Sequence, residues 1–337
     1  SEVDKALVAE LVRATPDRAA LIVQAMADRP ETVVLAAVLQ AAEQGPPQVR
    51  LSAINALGRV GDASCVSALL KAALEADADL AQAAKTSLAN LPSEKVDAQI
   101  VAFLPKAEGN TYPLLIELVG QRRIDAVPEL LKAMDHSDKN VRNAALTALG
   151  ETVALKRLSV LVQQAVAPKH AEDAPAAQQA LKAASIRMPD REACAEELTL
   201  ALDRSPAATK SLLLEILGDV GGARALSTLG SAAKSDDPEL QDTASRLLGK
   251  WNGVDAAPVL LDLAKTAPAE KYQVRALRGY IGLARKFAMP EPDRVAMCQQ
   301  ALTASSQSAE QKLVLDVLAL HPSIESLTLA IKTMKVP

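Results

Sequence analysis

The sequence predicts an all-α protein, a right-handed α-solenoid of about ten antiparallel helix pairs. Three observations carry that expectation. A short amphipathic pattern, seen in Asn140 to Gly150 and ending Ala148-Leu149-Gly150, recurs along the chain at intervals of 30 to 36 residues. The 337 residues are 49% hydrophobic but only 2% aromatic, with alanine and leucine carrying most of the apolar load. Alanine favours helix and lets neighbouring helices approach, whereas the β-branched and aromatic enrichment of strands is absent. A period of this length replaces one closed core with a stack in which each helix pair buries its apolar face on the next.

Taken in order, residues 2–14 mix Glu2, Asp4, Lys5, Glu10 and Arg13 with apolar positions, as expected of a polar cap on such a stack. With the glycine of the 140–150 pattern as a marker, matching positions are Gly58, Ala89, Gly120, Gly150, Ile186, Gly218, Gly249, Leu283 and Ala319. They divide one continuous repeat domain, 1–337, into units at 1–29, 30–60, 61–91, 92–121, 122–153, 154–187, 188–220, 221–251, 252–287 and 288–337. The unit 122–153 shows the logic. Its first helix, Val127 to Met134, sets Leu130, Leu131 and Met134 at helical spacing before a turn through Asp135, His136, Ser137 and Asp138. Ser137 or Asp138 is placed to accept hydrogen bonds from the open amides of the next helix. That second helix buries Val141, Ala144, Ala145, Ala148 and Leu149, and Gly150 is expected to end it. Thr15-Pro16, Ser205-Pro206 and Asp237-Pro238 repeat the start signal with proline at a first helical position. The last helix offers Lys332 and Lys335 as a second polar cap.

Val49-Arg50 with Ala56-Leu57-Gly58, Val141-Arg142 with Ala148-Leu149-Gly150, and Val274-Arg275 resemble the second helix of HEAT repeats, especially the short bacterial HEAT-like type. The likeness covers most of the chain, with residues 78–105, 172–202 and 308–334 matching in periodicity alone. It implies the solenoid fold; HEAT solenoids serve as protein-binding scaffolds, adaptors and occasionally enzymes, and the fold alone does not select among these roles. The segment Tyr272 to Phe287 also resembles the last HEAT units of large exported bacterial proteins that carry a sugar-hydrolase-like or haem domain. That second likeness implies an alternative role, a structural spacer or accessory module of a larger enzyme.

In HEAT solenoids the second helices line the concave face. Three residues before the markers stand Asn55, Thr86, Glu117, Thr147, Ala183, Glu215, Arg246, Tyr280 and Asp316; one residue after them stand Arg59, Asn90, Gln121, Glu151, Arg187, Asp219, Lys250, Ala284 and Leu320. Residues four apart share a helix face, so the two columns form one mostly polar ribbon. Its sign alternates from unit to unit, which suits a protein or peptide partner better than a polyanion. The candidate partner-binding residues are Asn55, Arg59, Glu117, Gln121, Thr147, Glu151, Arg187, Glu215, Asp219, Arg246, Lys250 and Tyr280. Trp251, Tyr272, Tyr280 and Phe287 cluster beside Arg275, Arg278, Arg285 and Lys286, either as an interface anchor or with Trp251 and Phe287 filling a wider gap between units.

Charge and motif content exclude several classes. The net charge of −4, from 37 basic and 41 acidic residues without long runs of one sign, argues against a nucleic-acid partner. Cys65, Cys194 and Cys298 lack any C-x-x-C spacing and read as packed thiols, and His136, His170 and His321 are isolated, so no metal or other cofactor is expected. HEAT-fold hydroxylases that bind two irons use repeated histidine-glutamate motifs, and HEAT-like glycosylases a basic, aromatic face; neither pattern is present. Gly218, Gly221 and Gly222 echo a phosphate loop but lack the preceding strand, and no G-x-S-x-G elbow occurs. The chain is therefore expected to be non-catalytic. No stretch reaches the roughly 18 to 20 apolar residues of a membrane span, so a soluble protein is expected.

Overall fold

The computed structural model describes residues 2–305 and 307–334; Lys335 of the expected terminal cap lies outside them. Among the described residues there are 21 α-helices and no strand, and the helices pair in antiparallel succession as an α-solenoid. In chain order they are α1 (Glu2–Leu11), α2 (Pro16–Ala27), α3 (Leu35–Gln44), α4 (Pro47–Val60), α5 (Val66–Ala72), α6 (Ala78–Asn90), α7 (Glu94–Phe103), α8 (Thr111–Gln121), α9 (Val127–Ala133), α10 (Lys139–Thr152) and α11 (Leu158–Val166). There follow α12 (Ala174–Arg187), α13 (Arg191–Arg204), α14 (Ala207–Val220), α15 (Gly222–Ala232), α16 (Pro238–Gly249), α17 (Ala257–Thr266), α18 (Glu270–Lys286), α19 (Glu291–Ala304), α20 (Ser308–Leu320) and α21 (Ile324–Met334). Even-numbered helices are the second members of their pairs. Residues up to Val153 with Pro168–Ala184 form one compact unit, and Ala154–Ala167 with the residues from Ser185 onward form another.

Several helix starts follow the cap chemistry. Asp77, Asp138, Asp190 and Asp237 each accept a backbone N–H from the first turn of the helix that follows, which satisfies an amide that has no partner within the helix. The two Ser/Thr-Pro starts work differently. Thr15 is extended and makes no side-chain cap, and the Ser205 hydroxyl turns back to donate to the Ala201 carbonyl at 2.7 Å. Pro16 begins α2 through its fixed φ and missing N–H, whereas Pro206 is itself the extended cap residue before Ala207 and not the first helical residue of α14, as its sequence position suggested.

Helix ends are closed by side chains reaching from elsewhere in the same unit. Arg122 donates to the carbonyls of Leu88, Ala89 and Leu91 at the end of α6, and its Nε meets Asp97 at 2.6 Å. Arg142 is 2% exposed and uses all five of its N–H groups. Nη1 donates to His136 and Ser137 carbonyls in the turn after α9, Nε and Nη2 hold Asp173 in a bidentate pair at 2.6 and 3.1 Å, and Nη2 also meets Glu172. A planar guanidinium can be buried here because every donor is matched. The arginine of the Val-Arg pair is thus a strut between repeats.

The marker glycines Gly58 and Gly150 do not end their helices, although Gly249 is the last residue of α16. Gly58 and Gly150 lie inside α4 and α10, which continue two residues further, and neither takes a positive φ. Their role is packing. A Cβ on Gly58 would come within 2.9 Å of the Ser87 Cα, one on Gly120 within 2.8 Å of the Ala148 Cα, and one on Gly150 within 3.0 Å of the Ala180 Cα. Each glycine lets one second helix rest on the backbone of the next. The buried Ser87 hydroxyl, donating to the Ile54 carbonyl at 2.8 Å, uses the same close approach.

Candidate partner-binding surface

The packing that buries most of the −9, −6, −5, −2 and −1 positions before the glycine markers leaves the −3 and +1 positions outward. In the first unit Asn55 and Arg59 on α4, Glu117 and Gln121 on α8, and Thr147 on α10 are exposed, and Glu151 is half-buried. In the second, Glu215, Asp219 and Lys250 are exposed and Arg246 is half-buried. Tyr280 and Ala284 are buried and Arg187 is half-buried, whereas the other candidate residues of the two series keep solvent-facing side chains.

Tyr280 is a correction. It is 2% exposed, and its hydroxyl donates to Gln300 Oε1 at 2.6 Å. Burial pushes its phenol up to about 12. The cause is register: α18 sits two residues earlier than the Val274-Arg275 likeness implies. Gly279 packs on Gly249, its Cβ position 3.1 Å from the Gly249 Cα. Tyr272 occupies the core place of Val141, and Gln273 donates to the Ala267 carbonyl six residues back, as Arg142 does to His136 and Gln241 to Ser235. The equivalent marker is Ile281, and the outward residue is Arg278, which sequence reading placed only in the nearby aromatic and basic cluster.

A second slip concerns α12. Gly150 meets Ala180, and Ala177, Ala180 and Leu181 are buried as Ala145, Ala148 and Leu149 are, whereas the assigned marker Ile186 is 51% exposed. The equivalent marker is Lys182, and the outward position is the exposed Gln179. Arg187 stands one turn further along, half-buried at the end of the helix. The repeated Ala-Leu pair, Ala148-Leu149 and Ala180-Leu181, is the sequence signal that would have found Gln179.

Neighbouring repeats partly neutralise each other along this surface. Arg59 meets Asp28 at 2.8 Å, Arg123 meets Glu151 at 3.7 Å, and Arg246 meets Glu215 at 3.0 Å. Such solvent-exposed pairs contribute about 0 to 1 kcal/mol. They can be exchanged for bonds to a partner with little loss of stability.

Other polar features are absorbed by the fold. Gly221 and Gly222 have φ of 73° and 90°, and the Glu192 carboxylate fills the turn they make, accepting from the Ala223 and Arg224 amides at 2.6 and 2.9 Å. A carboxylate of the chain itself thus takes the anion position at this helix start. Cys65, Cys194 and Cys298 are free and buried, and desolvation raises each thiol, Cys298 to about 11. Trp251 is half-buried, with Nε1 donating to Asp255 at 3.1 Å, and Phe287 is half-buried too. Among the described residues no three His, Cys, Asp or Glu side chains gather as a metal-binding group, and no helix is long and apolar enough to cross a membrane.

Stacked helix pairs with a polar series on one helix of each pair define a helical-repeat protein. Residues 195–279, from within α13 to within α18, match the family model of HEAT repeats, so this stretch of the chain is made of HEAT repeats. A comparison with the sequences of curated proteins finds no match. Among solved structures, the chain is similar to an engineered protein at 17% identity and a TM-score of 0.35, covering 95% of this chain and 98% of that one. It is also similar to yeast importin-beta, Kap95p, in two structures. In the one that concerns Kap95p binding to RanGDP, identity is 14%, the TM-score is 0.46, and coverage is 99% of this chain and 51% of that one. In the other, identity is 13%, the TM-score is 0.43, and coverage is 95% and 48%. The chain thus spans about half the length of importin-beta.

Proposed function

We propose that this chain is a non-catalytic scaffold that binds a protein or peptide along the outward faces of its second helices, through Asn55, Arg59, Glu117, Gln121, Thr147, Glu151, Arg187, Glu215, Asp219, Arg246 and Lys250, with Gln179 and Arg278 added. The observation that supports this reading is the recurrence of solvent-facing polar side chains at one structural position on successive second helices. Side chains held at the repeat spacing on rigid helices read an extended partner without loop rearrangement. Successive second helices pack closely at α2–α4–α6, α8–α10 and α14–α16–α18–α20, whereas α6 and α8 touch little and the first helices α13 and α15 pack as closely as α14 and α16. The mixture of acidic and basic side chains along the series favours a protein or peptide over nucleic acid.

Affinity capture from native lysate tests the proposal, with the chain as bait against a variant reversed at Glu215, Asp219, Arg246 and Lys250. Reversing Arg246 and Glu215 together re-forms their pair with opposite polarity, and equal helical content by circular dichroism verifies the fold. A partner held by the native bait and lost by the variant is expected. Identical partners on both baits would remove the ribbon as the binding surface. They would favour a second reading, a spacer or accessory module docked on another body. That reading is supported by the apolar groove of about 720 Å³ at α20 and α21, where Ile324 is 82% and Met334 75% exposed.

A further inference from the structure

The register of α18 changes the electrostatics of the surface around it. It sets Lys271, Arg275 and Arg278 opposite Arg246 and Lys250 across a groove of about 460 Å³ between α16 and α18. The sequence columns showed alternating signs because they placed Tyr280 where Arg278 stands. Five cations line this groove and no carboxylate does. Its floor is bare where Gly249 and Gly279 meet, and a Cβ on the next exposed glycine, Gly282, would touch nothing within 4 Å.

The carboxylates that pair with these cations lie outside the groove and engage them incompletely. Glu215 meets only Nη2 of Arg246, at 3.0 Å; Arg275 donates through Nη1 to Asp242 Oδ1 at 2.9 Å, to the Asp242 carbonyl at 3.2 Å and to Ser245 Oγ at 2.7 Å, while its Nε and Nη2 meet no carboxylate among the described residues. Glu310 takes Nε and Nη2 of Arg278 through one oxygen, at 2.9 and 2.8 Å. Lys250 and Lys271 make no ion pair among the described residues; Lys271 lies 4.5 Å from the centre of the Tyr272 ring. Free guanidinium edges and two unpaired ammonium groups converge on a floor without side chains. Carboxylates match the forked donors of arginine, and lysine adds charge without demanding a fixed geometry.

We infer that the groove between α16 and α18 binds a short acidic segment of a polypeptide, its carboxylates engaging Arg246, Lys250, Lys271, Arg275 and Arg278. This rests on the peptide-scaffold reading and gives it a partner chemistry. The length follows from what flanks the groove. Exposed Glu215 and Asp219 stand on α14, one repeat before it, and exposed Asp316 on α20, one repeat after. Packed helices lie about 8–10 Å apart, and an extended chain advances about 3.3–3.6 Å per residue. Two or three consecutive acidic residues fill the cationic band, and a longer polyanion runs into Glu215 and Asp219 or Asp316. A nucleic-acid strand, charged at every residue, is disfavoured by the same flanks.

The test is fluorescence anisotropy of a labelled peptide carrying three consecutive glutamates, titrated at low ionic strength with the full chain. A lysine counterpart and a labelled oligothymidylate serve as the other probes. Saturable binding of the glutamate peptide is expected, weakened by salt and reduced about tenfold or more in the Lys250→Glu, Lys271→Glu double variant. Both lysines are exposed and unpaired, so that variant keeps its fold, which circular dichroism verifies; Gln40→Lys, exposed on the first helix α3 of the other unit and outside the proposed binding series, leaves the affinity unchanged. No saturable binding, equal affinity in the double variant, or tighter binding of the oligothymidylate would each overturn the inference. Failure here with partner capture still lost on ribbon reversal overturns only the acidic-segment assignment, whereas failure of the capture experiment alone removes the scaffold reading and leaves the groove's anion chemistry standing.

Discussion

At the scale of single residues, two of the polar groups that this fold buries create a dependence on pH. Tyr280 and Cys298 are buried in the second unit, each 2% exposed, and desolvation pushes the phenol up to about 12 and the thiol up to about 11. Both are acids held neutral in the folded chain. In the unfolded chain they ionise from about pH 9 to 10, so above that range the unfolded state holds fewer protons than the folded one. Their contribution to stability is complete below about pH 9 and declines toward about pH 12, where the folded groups ionise as well. Urea unfolding measured at steps from neutral to strongly alkaline pH should show that decline. Tyr280→Phe, which gives up the bond to Gln300, should be less stable at neutral pH by about 0.5–1.5 kcal/mol and lose stability less steeply above pH 10; an equal slope in both proteins would refute this account. The sequence showed that Tyr280 belonged to the repeat but not which side of the helix it faced. Two residues of register are 200° of helix rotation, enough to carry a side chain from the surface to the core.

At the scale of helices, the markers were legible as positions and misread as to cause. Ala148-Leu149-Gly150 reads as a helix running into its terminal glycine, since glycine is common at helix ends. The structure uses the same glycine for contact between backbones, a property of the neighbouring repeat that no local pattern records. The two register slips have the same origin. Where a marker lacks glycine, at Lys182 and Ile281, the sequence offers only spacing, and α18 has a Val-Arg pair in a place where α10 does not. The glycines therefore divide into two kinds, and alanine substitution separates them. Gly→Ala inside a helix gains about 0.5–1 kcal/mol from propensity alone. Gly282→Ala has open space around its Cβ and should show that gain. Gly120→Ala would force its Cβ to 2.8 Å from the Ala148 Cα, and overpacking of this kind costs about 1–3 kcal/mol. Opposite signs are expected in thermal or chemical unfolding. A gain at both sites would mean that α8 and α10 separate freely, and the packing explanation of the marker would fall.

At the scale of the whole chain, stability is a sum over neighbours. A solenoid has no single core: each repeat is held by its own helix pair and by the repeats on either side. The contacts bear this out, since the buried struts and close approaches described above join residues of the same or adjacent repeats: Arg122 to α6, Arg142 to Asp173, Gly120 to Ala148, Gly279 to Gly249. A core defect should then spread about one repeat and stop, unlike in a globular domain, where it lowers protection throughout. Leu149 is fully buried in α10, and Leu149→Ala should cost about 2–5 kcal/mol. Hydrogen exchange followed by mass spectrometry should show faster exchange in α8, α9 and α10, with α18 and α20 unchanged. Uniform acceleration along the chain would show that the repeats unfold as one cooperative body. Protection confined to local loss would instead mean that a partner binding between α16 and α18 stabilises those repeats and their neighbours while leaving α4 and α6 free to open, so that occupancy of one stretch does not close the rest of the surface to a second ligand.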